Sequence, residues 1–118
     1  MSKDVFTKAQ ALGASIIESE EFKEVRQKEE EILKNANAQT LLKRFNELQN
    51  KQRELTKKGD FMTDEEVIEL EQTQLKMVED KTIKAFVAAQ DKFQNMMNEV
   101  MKIIRESGVK KMKGDNDC

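Results

Sequence analysis

A chain of 118 residues, with charged and hydrophobic residues at 37% each, has the length of one domain and the apolar content of a thin core. The formal net charge of -2, from 21 basic and 23 acidic side chains, excludes a strong field directed at nucleic acid or an anionic membrane. Histidine is absent, which removes the usual base of a nucleophilic triad, and proline is absent, which removes forced helix breaks.

Glu, Lys, Gln, Leu, Met and Ala dominate what remains, and these are strong helix formers. The spacing of Val5, Ala9, Leu12 and Ile16 predicts a first helix over about Asp4 to Ile17. Gly13 lies beside that stripe, either as a tolerated helix glycine or as a place where a second helix approaches closely.

Ser19-Glu20-Glu21-Phe22 reads as a new start, with a capping hydroxyl followed by acids at the positive end of the dipole. The next strong stop is Lys57-Lys58-Gly59, so the second predicted helix is long, with a bend expected at Asn35-Ala36-Asn37-Ala38. Glu24/Lys28, Glu30/Lys34, Glu47/Lys51 and Glu54/Lys58 stand at the i,i+4 spacing that supports a solvated helix face. Thr63-Asp64-Glu65-Glu66 then matches a capping box and opens a third helix carrying Val67, Leu70, Leu75 and Val78.

Asp80 is placed to end that helix and cap a fourth, predicted from Lys81 to Ser107 with a stop at Gly108. Residues 1–107 are therefore expected as a single helical domain, and 108–118 as a polar, disordered tail. The fourth helix bears two apolar stripes. One contains Ile83, Val87, Gln90, Met97, Met101 and Ile104; the other contains Phe86, Ala89, Phe93, Met96, Val100 and Ile103. That arc is wider than one packed neighbour needs, which points to a second contact. Ile83, Phe86, Val87, Phe93, Met96, Met97, Val100, Met101 and Ile104 are the expected oligomer or partner interface. Thioethers adapt to varied partners, but a methionine stripe at helical spacing is more often plain core, and core is the favoured reading for it.

No arrangement of catalytic residues emerges, so no enzyme is expected. The glycines form no phosphate loop, and Glu18/Glu21 and Glu66/Glu69 lack the histidine of a helical di-iron site. Lys51, Arg53, Lys57 and Lys58 are interleaved with Glu47 and Glu54 and have no Tyr or Trp for base stacking, so nucleic-acid binding is not expected. Cys118, the one cysteine, fits a reducing compartment and is a weak candidate for a metal site shared between chains. With no apolar leader and no apolar run of about 18 residues, the expectation is a cytoplasmic protein without direct membrane contact.

Ser19-Glu20-Glu21-Phe22, Leu41-Leu42, Phe45, Gln49, Leu55, Gly59, Thr63 and Glu65-Glu66-Val67, followed by the amphipathic last helix, resemble the YlbF/YmcA/YheA family of small bacterial helical regulators over about residues 5 to 107. The resemblance implies an all-α, elongated antiparallel helical bundle or hairpin with one long helix, oligomeric through helix packing. It implies association with further copies of the chain, as a homodimer or higher, or with related helical proteins. It also implies a role in competence, sporulation and biofilm control through an RNase Y-linked complex concerned with messenger RNA maturation. Iron–sulfur clusters accompany that complex, whereas this tail offers Cys118 alone, so no cofactor is expected unless a cluster is shared between chains. The reading is a non-catalytic regulatory adaptor or scaffold; the alternative is a coiled-coil holdase-type chaperone.

Overall fold

The computed structural model describes residues 2–116, with side chains for residues 2–109, and every regular element among them is an α-helix. In chain order these are α1 (Ser2–Glu18), α2 (Glu20–Leu33), α3 (Ala36–Lys57), α4 (Asp64–Glu79) and α5 (Lys81–Asn116). The all-α class follows the sequence reading, but five helices replace the four expected.

The extra boundary is made by Asn35. Its backbone is extended at φ -112 and ψ 103, and its side-chain oxygen accepts from the Ala38 amide at 3.0 Å. Asparagine competes with the helical backbone in this way, so the bend expected at residues 35–38 is a full stop and restart. Ser19 restarts the chain more gently: its hydroxyl donates to the Ile16 carbonyl at 2.6 Å and accepts from the Phe22 amide at 3.1 Å.

α3 ends as the sequence predicts. Gly59 adopts φ 77, the Asp60 amide donates to the Leu55 carbonyl at 2.8 Å, and the Gly59 amide donates to the Thr56 carbonyl at 3.1 Å. This is the paired closure that a left-handed glycine permits after a helix. The capping box at α4 is complete, with the Glu66 amide donating to Thr63 Oγ1 at 3.2 Å and the Thr63 amide donating to Glu66 Oε1 at 3.0 Å. Asp80 closes α4 and then accepts from the Ile83 amide at 2.9 Å to open α5.

The stop expected at Gly108 does not occur. α5 continues to Asn116, because Gly108 lacks the positive φ that makes Gly59 a terminator. Asp117 and Cys118 lie outside the described residues.

Packing divides the molecule into two compact units. The first combines the chain up to Val25 with the chain from Ala88 onward; the second is Arg26–Val87. In the second unit Ile32, Ala38 and Ile83 form a buried cluster, against which Leu41, Leu42, Met77 and Phe86 pack. α3 and α4 lie side by side there, and Leu48 of α3 is fully buried. Each such aliphatic side chain contributes on the order of 1.5–3 kcal/mol through removal from water. In the first unit Phe22 packs on Phe93 with ring centroids 5.9 Å apart, and Ala89 is fully buried. α1 contributes no buried residue at all.

Candidate protein-association surface

α5 keeps some of its apolar side chains for its own copy and leaves others in water. Of the nine expected interface residues, Ile83 is buried in the core of the Arg26–Val87 unit and Phe86 packs against that core. Those two are core in this copy and are not available to a partner. In the other unit, Phe93 packs with its ring tilted against Phe22, and Met96, Met97 and Val100 are half-buried. Beyond Val100 the cover ends. Met101 is 49% exposed, Ile103 56% and Ile104 52%, all within about one turn of the helix. Val87 is also exposed.

The two stripes read from the sequence therefore differ in fate. The stripe running from Phe86 to Ile103 is covered as far as Val100, whereas the other is exposed at Val87, Met101 and Ile104. Ile103, which the expected interface omits, belongs with the exposed group.

Two apolar features escaped the sequence reading. α4 buries Thr73 and half-buries Leu70 and Met77 on one side, while Ile68, Leu75 and Val78 are exposed on the other. The sequence reading names Leu75 and Val78 on this helix without a face; the period Ile68-Glu71-Leu75-Val78 is the signal for an outer stripe. α1 likewise exposes Val5, Phe6 and Ile17. The spacing Phe6-Ala9-Gly13-Ile17 marked this second edge of its apolar arc.

The charged groups do structural work across α3 and α4. Arg44 holds Glu69 with two parallel bonds, Nε to Oε2 and Nη2 to Oε1, both 2.6 Å, and donates Nη1 to Glu47 at 3.2 Å. This pairing lowers the Glu69 carboxyl and keeps the guanidinium charged well above its ordinary range. Lys51 pairs with Glu66, whose carboxyl is held down to about 2 by that ammonium and by the Thr63 amide. In the other unit Lys92 approaches Glu24 at 3.7 Å. Glu24, Lys28, Glu47 and Lys51 thus find partners other than the i,i+4 neighbours expected for them; Lys28 meets Glu31 instead. These tertiary pairs also engage part of the basic group on α3, since Lys51 faces a carboxylate.

No reaction chemistry is assembled at these places. Two open hollows, of about 360 and 400 Å³, are lined by Gln49, Gln52, Arg53, Thr56 and Lys57, and by Asn37, Leu41, Lys76, Glu79, Asp80 and Lys81. Neither holds a nucleophile beside a base. Among the described residues no three His, Cys, Asp or Glu side chains are grouped to hold a metal ion. An iron–sulfur cluster needs about four thiolate ligands, and one cysteine, placed outside the described residues, does not supply them. Among the described residues no helix is long and apolar enough to cross a membrane.

Capped helices with nonpolar side chains left in water define an all-helical protein with exposed apolar surface among the described residues. The chain belongs to the family described as control of competence regulator ComK, YlbF/YmcA, whose model matches residues 5–107. It is 26% identical over 107 residues to a UPF0342 protein of Desulfitobacterium hafniense (strain Y51), covering 91% of this chain and 82% of the relative. Its fold is similar to that of Bacillus subtilis RicA, solved by X-ray crystallography in complex with RicF. There the TM-score is 0.75 at 18% identity, over 88% of this chain and 92% of the other. It is also similar to a protein of unknown function (DUF964) from Bacillus stearothermophilus, with TM-score 0.71 at 16% identity over 87% and 90% of the two chains.

Proposed function

We propose that this protein is a non-catalytic regulatory adaptor that binds related helical proteins through the distal part of α5. The observation that carries the reading is the group Met101, Ile103 and Ile104, three large apolar side chains each about half in water on one helix of a small protein. Membership in a family named for control of a competence regulator supports the regulatory part, and the complex of RicA with RicF supports a protein partner. The assembly acts in the cytoplasm, in competence, sporulation and biofilm control through an RNase Y-linked complex.

The test is co-expression of this chain with each other YlbF/YmcA-family chain of its own genome, followed by size-exclusion chromatography with light scattering. At least one pair forms a stable mixed complex, and Met101→Glu with Ile104→Glu abolishes it while leaving the helical circular-dichroism signal intact. Failure of every pair to associate at tens of micromolar overturns the reading, as does a mixed complex indifferent to both substitutions.

A further inference from the structure

The outer side of α4 carries more than a solvated helix face requires. Asp64, Ile68, Glu71, Leu75 and Val78 follow one another at steps of four, three, four and three, so they share one face. It lies opposite the side that buries Thr73 and half-buries Leu70 and Met77. Leu75 and Val78 are each 63% exposed, and Ile68 is exposed with them. Phe61, two residues before the cap Thr63, is 91% exposed, more than any other large hydrophobic side chain among the described residues. A single apolar side chain in water is ordinary, whereas three in one stripe make a patch of the kind that marks an interaction site.

The charge on this face has one sign. Asp64 and Glu71 lie within the stripe, and Glu79 follows Val78. Lys76, the one basic residue of α4, stands at its margin, where it lines a hollow with Asn37, Leu41 and Glu79. The acids that tie α4 to α3 are different ones, since Glu69 is engaged by Arg44 and Glu66 by Lys51. Asp64, Glu71 and Glu79 make no ion pair among the described residues. Asp64 suits the positive end of its own helix, but Glu71 stands in the middle of α4, out of reach of either end of the dipole. Nothing in its own copy accounts for an acid between Ile68 and Leu75.

We propose that the outer face of α4 is a docking site for a basic amphipathic helix of a protein of another family. Such a helix seats apolar side chains on Ile68, Leu75 and Val78 and sets Lys or Arg side chains beside Asp64, Glu71 and Glu79. Charge decides the occupant: a second copy offering the same face sets acid against acid, and an anionic lipid surface or a nucleic acid is repelled. A cationic helix with apolar residues at matching steps of three and four satisfies both halves of the pattern. Phe61, at the entry to α4, adds an aromatic anchor. The site goes beyond the reading given for α5, because it lies on another helix and takes a partner of different chemistry. Two faces on two helices let one chain hold two different proteins at once.

Fluorescence anisotropy of a labelled peptide of about 18 residues, with leucine at the a and d positions of a heptad and lysine at e and g, titrated with the full chain, tests the proposal. The peptide binds in the micromolar range at about 50 mM salt and at least fivefold more weakly at about 300 mM, as screening of its charges requires. A peptide of the same composition in scrambled order, which has no apolar face, binds at least tenfold more weakly. Glu71→Lys in one variant, and Leu75→Gln with Val78→Gln in another, each raise the Kd at least tenfold. Their helical circular-dichroism signal is unchanged, because lysine and glutamine are good helix formers at exposed positions. Met101→Glu with Ile104→Glu leaves the Kd as it was. Absence of binding at the highest soluble protein concentration overturns the proposal, as does equal binding of the scrambled peptide or indifference to both α4 variants. So does a fall in molar mass by light scattering in either α4 variant, which shows a second copy on this face. A failed titration leaves the mixed complex tested through Met101 and Ile104 standing, and loss of that complex leaves the α4 site standing.

Discussion

Replacing Leu48 by alanine removes the largest wholly buried side chain of the Arg26–Val87 unit, since it is only 1% exposed. Truncation of this kind costs the lost transfer free energy and the cavity left behind, together about 3 kcal/mol for a site that cannot collapse. Unfolding entropy of about 2.1 cal/mol/K per residue gives roughly 0.25 kcal/mol/K for the chain, so the midpoint falls by about 12 °C. The control is Leu33→Ala, the same chemical change at a side chain 66% exposed, for which the loss stays near 0.5 kcal/mol. The assay is thermal and urea unfolding followed at 222 nm, with all variants at one protein concentration because self-association shifts apparent stability. A Leu48→Ala loss under about 1 kcal/mol, or one equal to that of Leu33→Ala, refutes the burial assigned to α3.

Three further outcomes are expected. Thr63→Ala dismantles the capping box and lowers stability by about 1 kcal/mol in urea unfolding, while Thr63→Ser retains most of it. Asn35→Ala loses both the cap on α3 and the 3.0 Å bond from Asn35 Nδ2 to Thr82 Oγ1; Asn35→Asp keeps the cap and loses only the donor. The alanine variant therefore melts lower than the aspartate variant, by about 1 kcal/mol. Glu66 and Glu69 have depressed carboxyl pKa values in the folded state, so their stabilisation is complete above the ordinary carboxylate value of 4.5 and is lost as pH falls, through about 2 for Glu66. The thermal midpoint drops across that interval, and Lys51→Met, which removes the main cause at Glu66, makes the drop shallower.

Capping chemistry was the most legible part of the sequence. Thr63 with Glu66, Gly59 after Lys57-Lys58, Ser19 and Asp80 all act where their residue types predict, because a cap is a contact over three or four residues that needs no tertiary information. Asn35 was legible as weakness and not as a stop, since the bond from its side chain to Thr82 depends on a residue 47 positions away. Gly108 misled for the opposite reason: a glycine after a run of helix terminates it only when the chain turns into positive φ.

Which apolar side chains of α5 stay exposed was only partly legible. The width of the apolar arc on α5 was correct as periodicity, but spacing cannot say which member of a stripe meets a neighbour. Ile83 and Met101 share one stripe, yet Ile83 sits in a core with Ile32 and Ala38, and Met101 is in water. The salt bridges failed similarly. Arg44 and Lys51 reach across to Glu69 and Glu66, and cross-helix partners of that kind leave no local signature.

The two packing units differ in how the polymer supplies them. Arg26–Val87 is one uninterrupted stretch, so a ribosome delivers it whole, and its short-range closures such as the Gly59 turn are fast to form. The other unit joins the beginning of the chain to its end, and Phe22 must wait for Phe93, some seventy positions later, to be synthesised. Throughout that interval Phe22 lacks the aromatic partner it has in the finished fold. That part of the chain completes its packing only after the intervening stretch has been made.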